Sequence, residues 1–353
     1  MSASEKTLIA LGSYQPTGGL VTGWWDGAAG FTRAGTADVA VPSFVCWHPT
    51  LPLLYAVSEL PDGLVTVLSV AVDGTLTVRD TISSGGAEPC WVVSDPIGGA
   101  LLVANYDVEL GRSSMTVMPL DADGLFTGDA TIVRTAGSGP VPGRQDASHV
   151  HQVVPTPHGT VLASDLGGDR LIEFEVGSRG LTEVGRVAMP AGSGPRHIAL
   201  ASDGRAGFVT GELDGTITVI RRNADGAWLA AERVSTTGRG DVEPGRAAPS
   251  QVMLASGDRW LLVANRGPST LAALDVSDGL RIASEVPVAA GPRYFTVVTA
   301  PALAPDSCTV LLAGQRAGIV EALRLDAAGG ALESLGPVAE TADASCVAVR
   351  PAL

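Results

Sequence analysis

Two histidines in the middle of the chain are separated by a single residue, a spacing that can bring two imidazoles into one site. They are His149 and His151, in the segment Ser-His-Val-His-Gln-Val-Val. Because this segment has the alternating pattern of a strand, the two imidazoles are predicted to share one face. Such a pair suits proton transfer, metal ligation or a buried hydrogen bond, and the residues alone leave these alternatives open. A stable metal site needs further ligands at suitable spacing, and the sequence has no second His or Cys cluster, so we predict no metal.

A set of arginines forms the second candidate group. Gly-Ser-Gly-Pro-Arg-His-Ile supplies Arg196, and strand alternation predicts that Arg196 and His197 point in opposite directions. Arg266 and Arg293 recur near strand ends in the next two repeats. If they converge, the three guanidiniums can bind an anion, and Glu212 is the candidate counter-ion or base. The alternative for each arginine is a salt bridge between repeats.

Four other polar residues lie at the ends of apolar strands and are predicted to contact a substrate, unless they serve only as turn residues. They are Asn105, Tyr106, Asp165 and Gln315. The chain has no GxSxG, HExxH or GxGxxG motif. Serine hydrolases of that type, zincins and dinucleotide-binding enzymes therefore have no support.

The elements that must position these residues recur along the whole chain. An alternating apolar strand followed by a turn of the Asp-Gly kind occurs seven times, with successive copies 44 to 56 residues apart. The copies begin at Val21, Val65, Met115, Leu171, Ile217, Leu271 and Ile319. A repeat of about 40–50 residues with several short strands is typical of a β-propeller. The units of a propeller converge on a central channel, where we expect the candidate residues to meet.

Each repeat has the pattern of four strands, but the two terminal ones are incomplete. The chain begins with a second-type strand at Leu8, and residues 345–350 resemble an inner strand without a blade of its own. Pairing the two would complete a ring and remove an exposed sheet edge. We therefore predict an all-β, seven-bladed propeller, one domain over residues 1–353, closed by its C-terminal strand. The Gly- and Pro-rich stretches 135–148 and 236–248 are predicted to be loops over one face.

Composition narrows the chemistry further. The 353 residues carry a net charge of −14 with no run of positive charge, which argues against a nucleic-acid or membrane partner. Lys6 is the only lysine, so P-loop, Schiff-base and pyridoxal chemistry are excluded, and we expect no cofactor. The first residues lack a basic stretch followed by a long apolar one, which favours a cytoplasmic location. The expected partner is a small anionic substrate, and the expected state is a monomer or a weak homo-oligomer.

Several segments together resemble those of the seven-bladed lactonase family, which includes propeller-type 6-phosphogluconolactonases and the fungal 3-carboxy-cis,cis-muconate lactonizing enzyme. The segments are Ser-His-Val-His-Gln-Val-Val, Asp-Leu-Gly-Gly-Asp-Arg-Leu, Gly-Ser-Gly-Pro-Arg-His-Ile, Leu-Val-Ala-Asn-Tyr and Ala-Asn-Arg-Gly. The likeness extends over nearly the whole chain. It implies a site made of a histidine, two arginines and a glutamate at the channel mouth. These correspond to His151 or His149, Arg196, Arg266 and Glu212.

The residues and the resemblance favour an enzyme that hydrolyses, or in reverse forms, a lactone of a small anionic sugar acid or muconate without a metal. In hydrolysis, Glu212 or a neutral channel histidine would take a proton from water. Arg196 and Arg266 would hold the anion and stabilise the oxyanion. Two alternatives stay open: a family member that acts as a cyclase or isomerase in a specialised pathway, and a non-catalytic propeller that binds a ligand or a protein.

Overall fold

The strands build a seven-bladed β-propeller, which confirms the predicted fold class. The computed structural model describes residues 6–27, 30–95, 99–108, 111–128, 130–177, 180–243, 245–298 and 307–351. Within these ranges, 28 strands form seven antiparallel sheets of four strands each. Residues 1–5, part of the N-terminal segment from which the location was predicted, lie outside the described residues.

The blades follow one another along the chain. Blade 1 contains β1 (Thr7–Ser13), β2 (Leu20–Trp25) and β3 (Phe31–Ala37), and its inner strand is the last of the chain, β28 (Ala344–Val349). Blade 2 contains β4 (Val45–Trp47), β5 (Leu53–Ser58), β6 (Leu64–Val70) and β7 (Leu76–Ser83). Blade 3 contains β8 (Pro89–Ser94), β9 (Ala100–Asn105), β10 (Ser114–Pro119) and β11 (Thr131–Arg134). Blade 4 contains β12 (Val150–Pro155), β13 (Thr160–Asp165), β14 (Arg170–Gly177) and β15 (Gly180–Ala188). Blade 5 contains β16 (Pro195–Leu200), β17 (Ala206–Gly211), β18 (Thr216–Arg222) and β19 (Trp228–Ser235). Blade 6 contains β20 (Pro249–Ala255), β21 (Trp260–Asn265), β22 (Thr270–Asp275) and β23 (Arg281–Pro287). Blade 7 contains β24 (Pro292–Val298), β25 (Ser307–Gly314), β26 (Ile319–Asp326) and β27 (Leu332–Glu340).

Burial explains the sequence pattern of the four strand types. The second strands are almost entirely apolar because both of their faces pack against neighbouring blades, and every residue of β5 and β21 is buried. The outer strands face solvent, so β7 and β19 are mostly exposed. Tight turns join the strands. In one of them, Gly204 adopts a φ of 67°, a conformation that a side chain would disfavour.

The C-terminal strand closes the ring, as predicted. β28 pairs antiparallel with β1, with Ile9 opposite Val349 and Leu11 opposite Val347. Trp47 of the next blade donates a hydrogen bond from Nε1 to the carbonyl of Ala348, at 3.1 Å. The single helical element of the described residues is the 3₁₀ turn Val276–Asp278, and no helix there is long and apolar enough to cross a membrane. The predicted loops, 135–148 and 236–248, indeed connect outer strands to the next inner strands.

Candidate active site

A β-bulge brings one residue of each inner strand toward the channel axis. In six blades the inner strand shifts register against the second strand near its start, and one residue, or two in blades 5 and 6, has no partner at the shift. In blade 2 the equivalent residue lies just before β4. The seven residues, which we call the bulge ring, are Ser43, Cys90, His151, Arg196, Ser250, Arg293 and Ser345. Six of them line a small cavity of about 10 Å³ deep in the channel.

The bulge corrects the predicted orientation of two neighbours. Strand alternation placed Arg196 and His197 on opposite sides, but Nη1 of Arg196 lies 3.2 Å from Nε2 of His197. The prediction was wrong because the register shift between Pro195 and Ile198 interrupts the alternation at this point. Both side chains are buried beside the channel.

A second ring lies nearer the channel mouth. This ring consists of one residue from each blade, the one that directly follows the second strand. These residues, which we call the strand-end ring, are Tyr14, Glu59, Tyr106, Leu166, Glu212, Arg266 and Gln315. Five of them, together with Glu88, Cys90, Val108, Arg144, His151 and Arg293, line a pocket of about 360 Å³. The two rings therefore form the walls of one site.

Aromatic side chains close the channel beneath this pocket. Phe44 packs on Trp91 with ring centroids 4.3 Å apart and meets Tyr294 edge-on at 4.9 Å. Trp91 in turn contacts His197 at 5.1 Å, and Nδ1 of His197 lies 2.5 Å from Oε1 of Gln251. Phe44, His197 and Tyr294 also line the small cavity at the bulge ring, so this aromatic layer lies directly against the site.

Glu212 is the centre of an arginine cluster. Its Oε2 lies 2.8 Å from Nε of Arg196 and 2.8 Å from Nη2 of Arg266, and its Oε1 is 2.5 Å from Nη2 of Arg144. Burial acts to raise the pKa of Glu212, but Arg266, Arg196 and Arg144 outweigh it and hold the pKa well below its usual range. Glu212 is therefore a fixed carboxylate that orients three guanidiniums, and a carboxylate with so low a pKa is a poor general base.

Arg196 is the most deeply placed of these cations. Its side chain is 3% exposed, and Nη1 also donates to the carbonyl of Ser250 at 2.8 Å. Burial, together with repulsion from Arg266, lowers its pKa to about 9, so the guanidinium is still charged at neutral pH. Its burial and its ion pair with Glu212, in which Nε lies close to Oε2 without the geometry of a hydrogen bond, make Arg196 a positioning group for the cluster.

Arg293 reaches the pocket from blade 7 and has a different environment. Nη2 donates to the hydroxyl of Tyr14 at 2.5 Å, and the guanidinium lies over the Tyr14 ring, 5.0 Å from its centroid. Arg293 makes no ion pair with any residue that the structure describes. Burial acts to lower the pKa of Arg293, but Tyr14, Glu59 and Glu212 raise it, so the pocket contains one cation that is held by aromatic and hydroxyl contacts and that the two glutamates reach only at longer range.

The two candidate histidines occupy different places. His151 lines the pocket, and burial, with the charge of Arg196, lowers its pKa well below 6.5, so the imidazole is neutral. Its Nδ1 lies 3.8 Å from Sγ of Cys90, a thiol whose pKa is raised by burial. His149 stacks on Tyr106 at 4.5 Å and interacts through Nδ1 with the Tyr106 carbonyl. Only His151 of the pair faces the pocket among the described residues.

Three other candidates lie away from the pocket. Asn105 donates to the carbonyl of Ser84, which follows the outer strand of blade 2, at 3.3 Å, and to the hydroxyl of Ser114 of its own blade at 3.1 Å. Asp165 accepts from the backbone N–H of His149 at 2.8 Å and pairs with Arg170. Gln315 belongs to the strand-end ring, but its side chain is not among those that line the pocket. Tyr106 is the one of this group that the structure brings to the site.

Sequence analysis missed Arg144, Glu59 and Tyr14. Arg144 lies in the loop 135–148, which was predicted to cover one face, and it is the only basic residue of that loop before the histidine segment. Glu59 and Tyr14 occupy the same repeat position as Glu212 and Tyr106. An alignment of the seven repeats at the strand ends would have identified both. No group of three or more His, Cys, Asp or Glu side chains in the described ranges has the arrangement of a metal site.

Comparison with known proteins agrees with this architecture. The family model for the seven-bladed β-propeller lactonases matches residues 11–349. The 6-phosphogluconolactonase of Bacillus subtilis is 28% identical over 245 residues, 68% of each chain. A solved structure of a Lactobacillus plantarum protein superposes with a TM-score of 0.86 at 27% identity, over 98% of this chain and 99% of the other. The periplasmic gluconolactonase of Pseudomonas aeruginosa gives a TM-score of 0.82 at 23% identity over 98% and 99%, which shows the shared fold. The chain therefore belongs to the lactonase family of seven-bladed β-propeller enzymes.

Proposed function

We propose that this protein hydrolyses the lactone of a small anionic sugar acid in the pocket between the two rings. One observation carries the proposal: Arg144, Arg266 and Arg293 line a pocket that also presents a neutral histidine, His151, and Arg196 lines the small cavity that adjoins it. Three of these arginines are held by a single carboxylate, Glu212, and the fourth, Arg293, pairs with no described carboxylate. This combination suits a substrate that brings its own negative charge.

The charge of the whole chain strengthens the case for an anion. A net charge of −14 repels anions at long range, so an anionic substrate would bind only where positive side chains are concentrated, as they are in this pocket. Arg293 has no directly paired carboxylate among the described residues, although Glu59 and Glu212 act on it at longer range, and a bound anion would offset the rest of the cost of its burial. We infer that Arg293 holds the carboxylate or phosphate of the substrate.

The remaining groups then divide the hydrolysis between them. His151 takes a proton from the attacking water, since one ring nitrogen of a neutral imidazole is a proton acceptor. Arg266 and Arg144, which Glu212 orients at the pocket wall, stabilise the oxyanion that develops on the lactone carbonyl. This assignment replaces Glu212 as the base, because three guanidiniums hold that residue as a carboxylate with a depressed pKa.

The relative from Bacillus subtilis supports sugar-acid lactones as the first compounds to test, because its name is 6-phosphogluconolactonase. Lactone formation in reverse would use the same groups. We propose that the reaction needs no metal, since His151 and the arginines supply the proton acceptor and the positive charge. The cytoplasmic location, the single domain and the monomeric or weakly oligomeric state stay predictions.

The test is a panel of sugar-acid lactones with and without an anionic substituent, assayed in the presence of a chelator. Wild type should hydrolyse the anionic lactones in preference to the neutral ones. Arg293→Ala should lose that preference, at a cost of about 2–5 kcal/mol for the anionic lactone. Arg221→Ala, which removes an exposed ion pair with Glu232, is the matched control. Wild type without activity on any lactone, or an unchanged preference in Arg293→Ala, would overturn the proposal.

A further inference from the structure

Glu59 is a pocket residue with an unusual environment. It follows β5 directly, in the strand-end ring, and its side chain lines the pocket of about 360 Å³. Its Oε2 is buried and has no hydrogen-bond partner among the residues that the structure describes. Buried polar atoms in folded proteins nearly always have a partner, so an unpartnered carboxyl oxygen at a pocket wall indicates a group that meets a ligand.

The charged and titratable neighbours of Glu59 come from four blades. Arg293 and Tyr14 approach from blades 7 and 1, Glu88 and Cys90 from blade 3, and the hydroxyl of Ser43 from its own blade. Burial raises the pKa of Glu59, and Glu88 adds to this, while Arg293, Ser43 and Tyr14 offset only part of it. The carboxyl is therefore easier to protonate than an ordinary glutamate.

The contrast with Glu212 assigns different tasks to the two glutamates. Both occupy the same position of the strand-end ring, but one is held by three arginines, whereas the other lines the pocket with its Oε2 lacking a hydrogen-bond partner among the described residues. When two carboxyls of one site differ in pKa, the one with the higher pKa keeps its proton and is suited to act as the general acid.

We propose that Glu59 is the general acid that protonates the leaving ring oxygen of the lactone. The proposal rests on the lactone hydrolysis proposed above. Water adds to the carbonyl as His151 accepts one of its protons, and the tetrahedral oxyanion then collapses. The bond from carbon to the ring oxygen breaks, and that oxygen takes the proton of Glu59. The product is a hydroxy acid, and transfer of the proton from His151 to Glu59 restores the starting state, so no oxidant or further reactant is needed.

The experiment compares two anionic lactones that differ in their leaving oxygen, one an alkoxide and the other a phenoxide. Glu59→Gln keeps the shape of the side chain but cannot donate this proton. For the alkyl lactone, kcat/KM should fall by about 10²- to 10⁴-fold, the usual contribution of a general acid. For the aryl lactone the loss should be about tenfold or less, because a phenoxide leaves without a proton from the enzyme. With the alkyl lactone, wild type should also lose activity as the pH rises through the pKa of Glu59, and Glu59→Gln should lack that decline.

The outcomes separate the two proposals. If wild type hydrolyses both lactones and Glu59→Gln lowers both rates equally, or neither, Glu59 is not the acid and the proposed function still stands. If wild type hydrolyses neither lactone, the proposed function fails and takes this role with it. Glu321→Gln, which removes a buried carboxylate of blade 7 that accepts from the N–H of Ala289, is the control for a purely structural effect. It should affect the two lactones alike.

Discussion

Replacement of Glu212 by glutamine should destabilise the protein strongly, because the change leaves three guanidiniums without their shared counter-ion. Arg196 is 3% exposed and Arg266 19%, so water can screen little of their repulsion, whereas Arg144 is 45% exposed and contributes less. Removal of one partner from a buried charge pair costs about 3–5 kcal/mol. With an unfolding entropy of about 2.1 cal/mol/K per residue, this corresponds to a fall in Tm of roughly 4–7 °C for a chain of this length.

The depressed pKa of Glu212 makes its contribution to stability depend on pH, and the contribution of its ion pair with Arg266 can be measured with a double variant. Because the folded pKa of Glu212 is depressed, its stabilisation is present above the unfolded pKa of about 4.3 and is lost as the pH falls below it. Thermal and urea unfolding at neutral pH should therefore separate wild type from Glu212→Gln more than unfolding in acid does. The double variant Glu212→Gln/Arg266→Gln should be more stable than the sum of the single changes predicts, by about 0.5–3 kcal/mol.

A control pair tests whether depth is the cause. Glu333 pairs with Arg324 at a surface where both side chains are more than half exposed. Glu333→Gln should cost about 1 kcal/mol or less, since exposed ion pairs contribute little. Equal losses for Glu212→Gln and Glu333→Gln, or strictly additive energies in the double variant, would refute the cluster as a source of stability.

Two further predictions concern the base and the ring closure. Burial and Arg196 hold the pKa of His151 well below 6.5. Therefore kcat/KM should stay level as the pH falls through 6.5 and decline only in more acidic solution. A pH–rate profile whose acid limb is centred at 6.5 would argue against His151 as the base. Deletion of residues 344–353 removes the partner of β1 and exposes a sheet edge, so the truncated chain should melt lower and aggregate, and light scattering that shows an unchanged monomer would contradict the closure.

The repeat pattern was enough to predict the blades and their closure, because both depend on apolar alternation that recurs seven times. The orientation of Arg196 and His197 was not predictable in this way. It depends on a bulge, and bulges arise from how an inner strand meets its neighbours in the folded ring. The pairing of Arg144 with Glu212 joins residues 68 positions apart across a loop, a contact that no local pattern specifies. Glu59 was missed for a simpler reason, since its repeat position had been recognised in other blades only.

The two rings also bear on how such a protein can acquire a new specificity. Each blade contributes one side chain to each ring from a bulge or from the residue after a strand, and these positions lie outside the interlocking apolar layers between blades. Substitution at Ser43, Tyr14 or Tyr106 would therefore alter the chemistry of the wall while the layers that hold the blades together keep their packing. The ring residues can therefore be exchanged while the apolar layers between the blades stay the same. Relatives with the same fold can evolve toward different substrates through a few substitutions in the two rings.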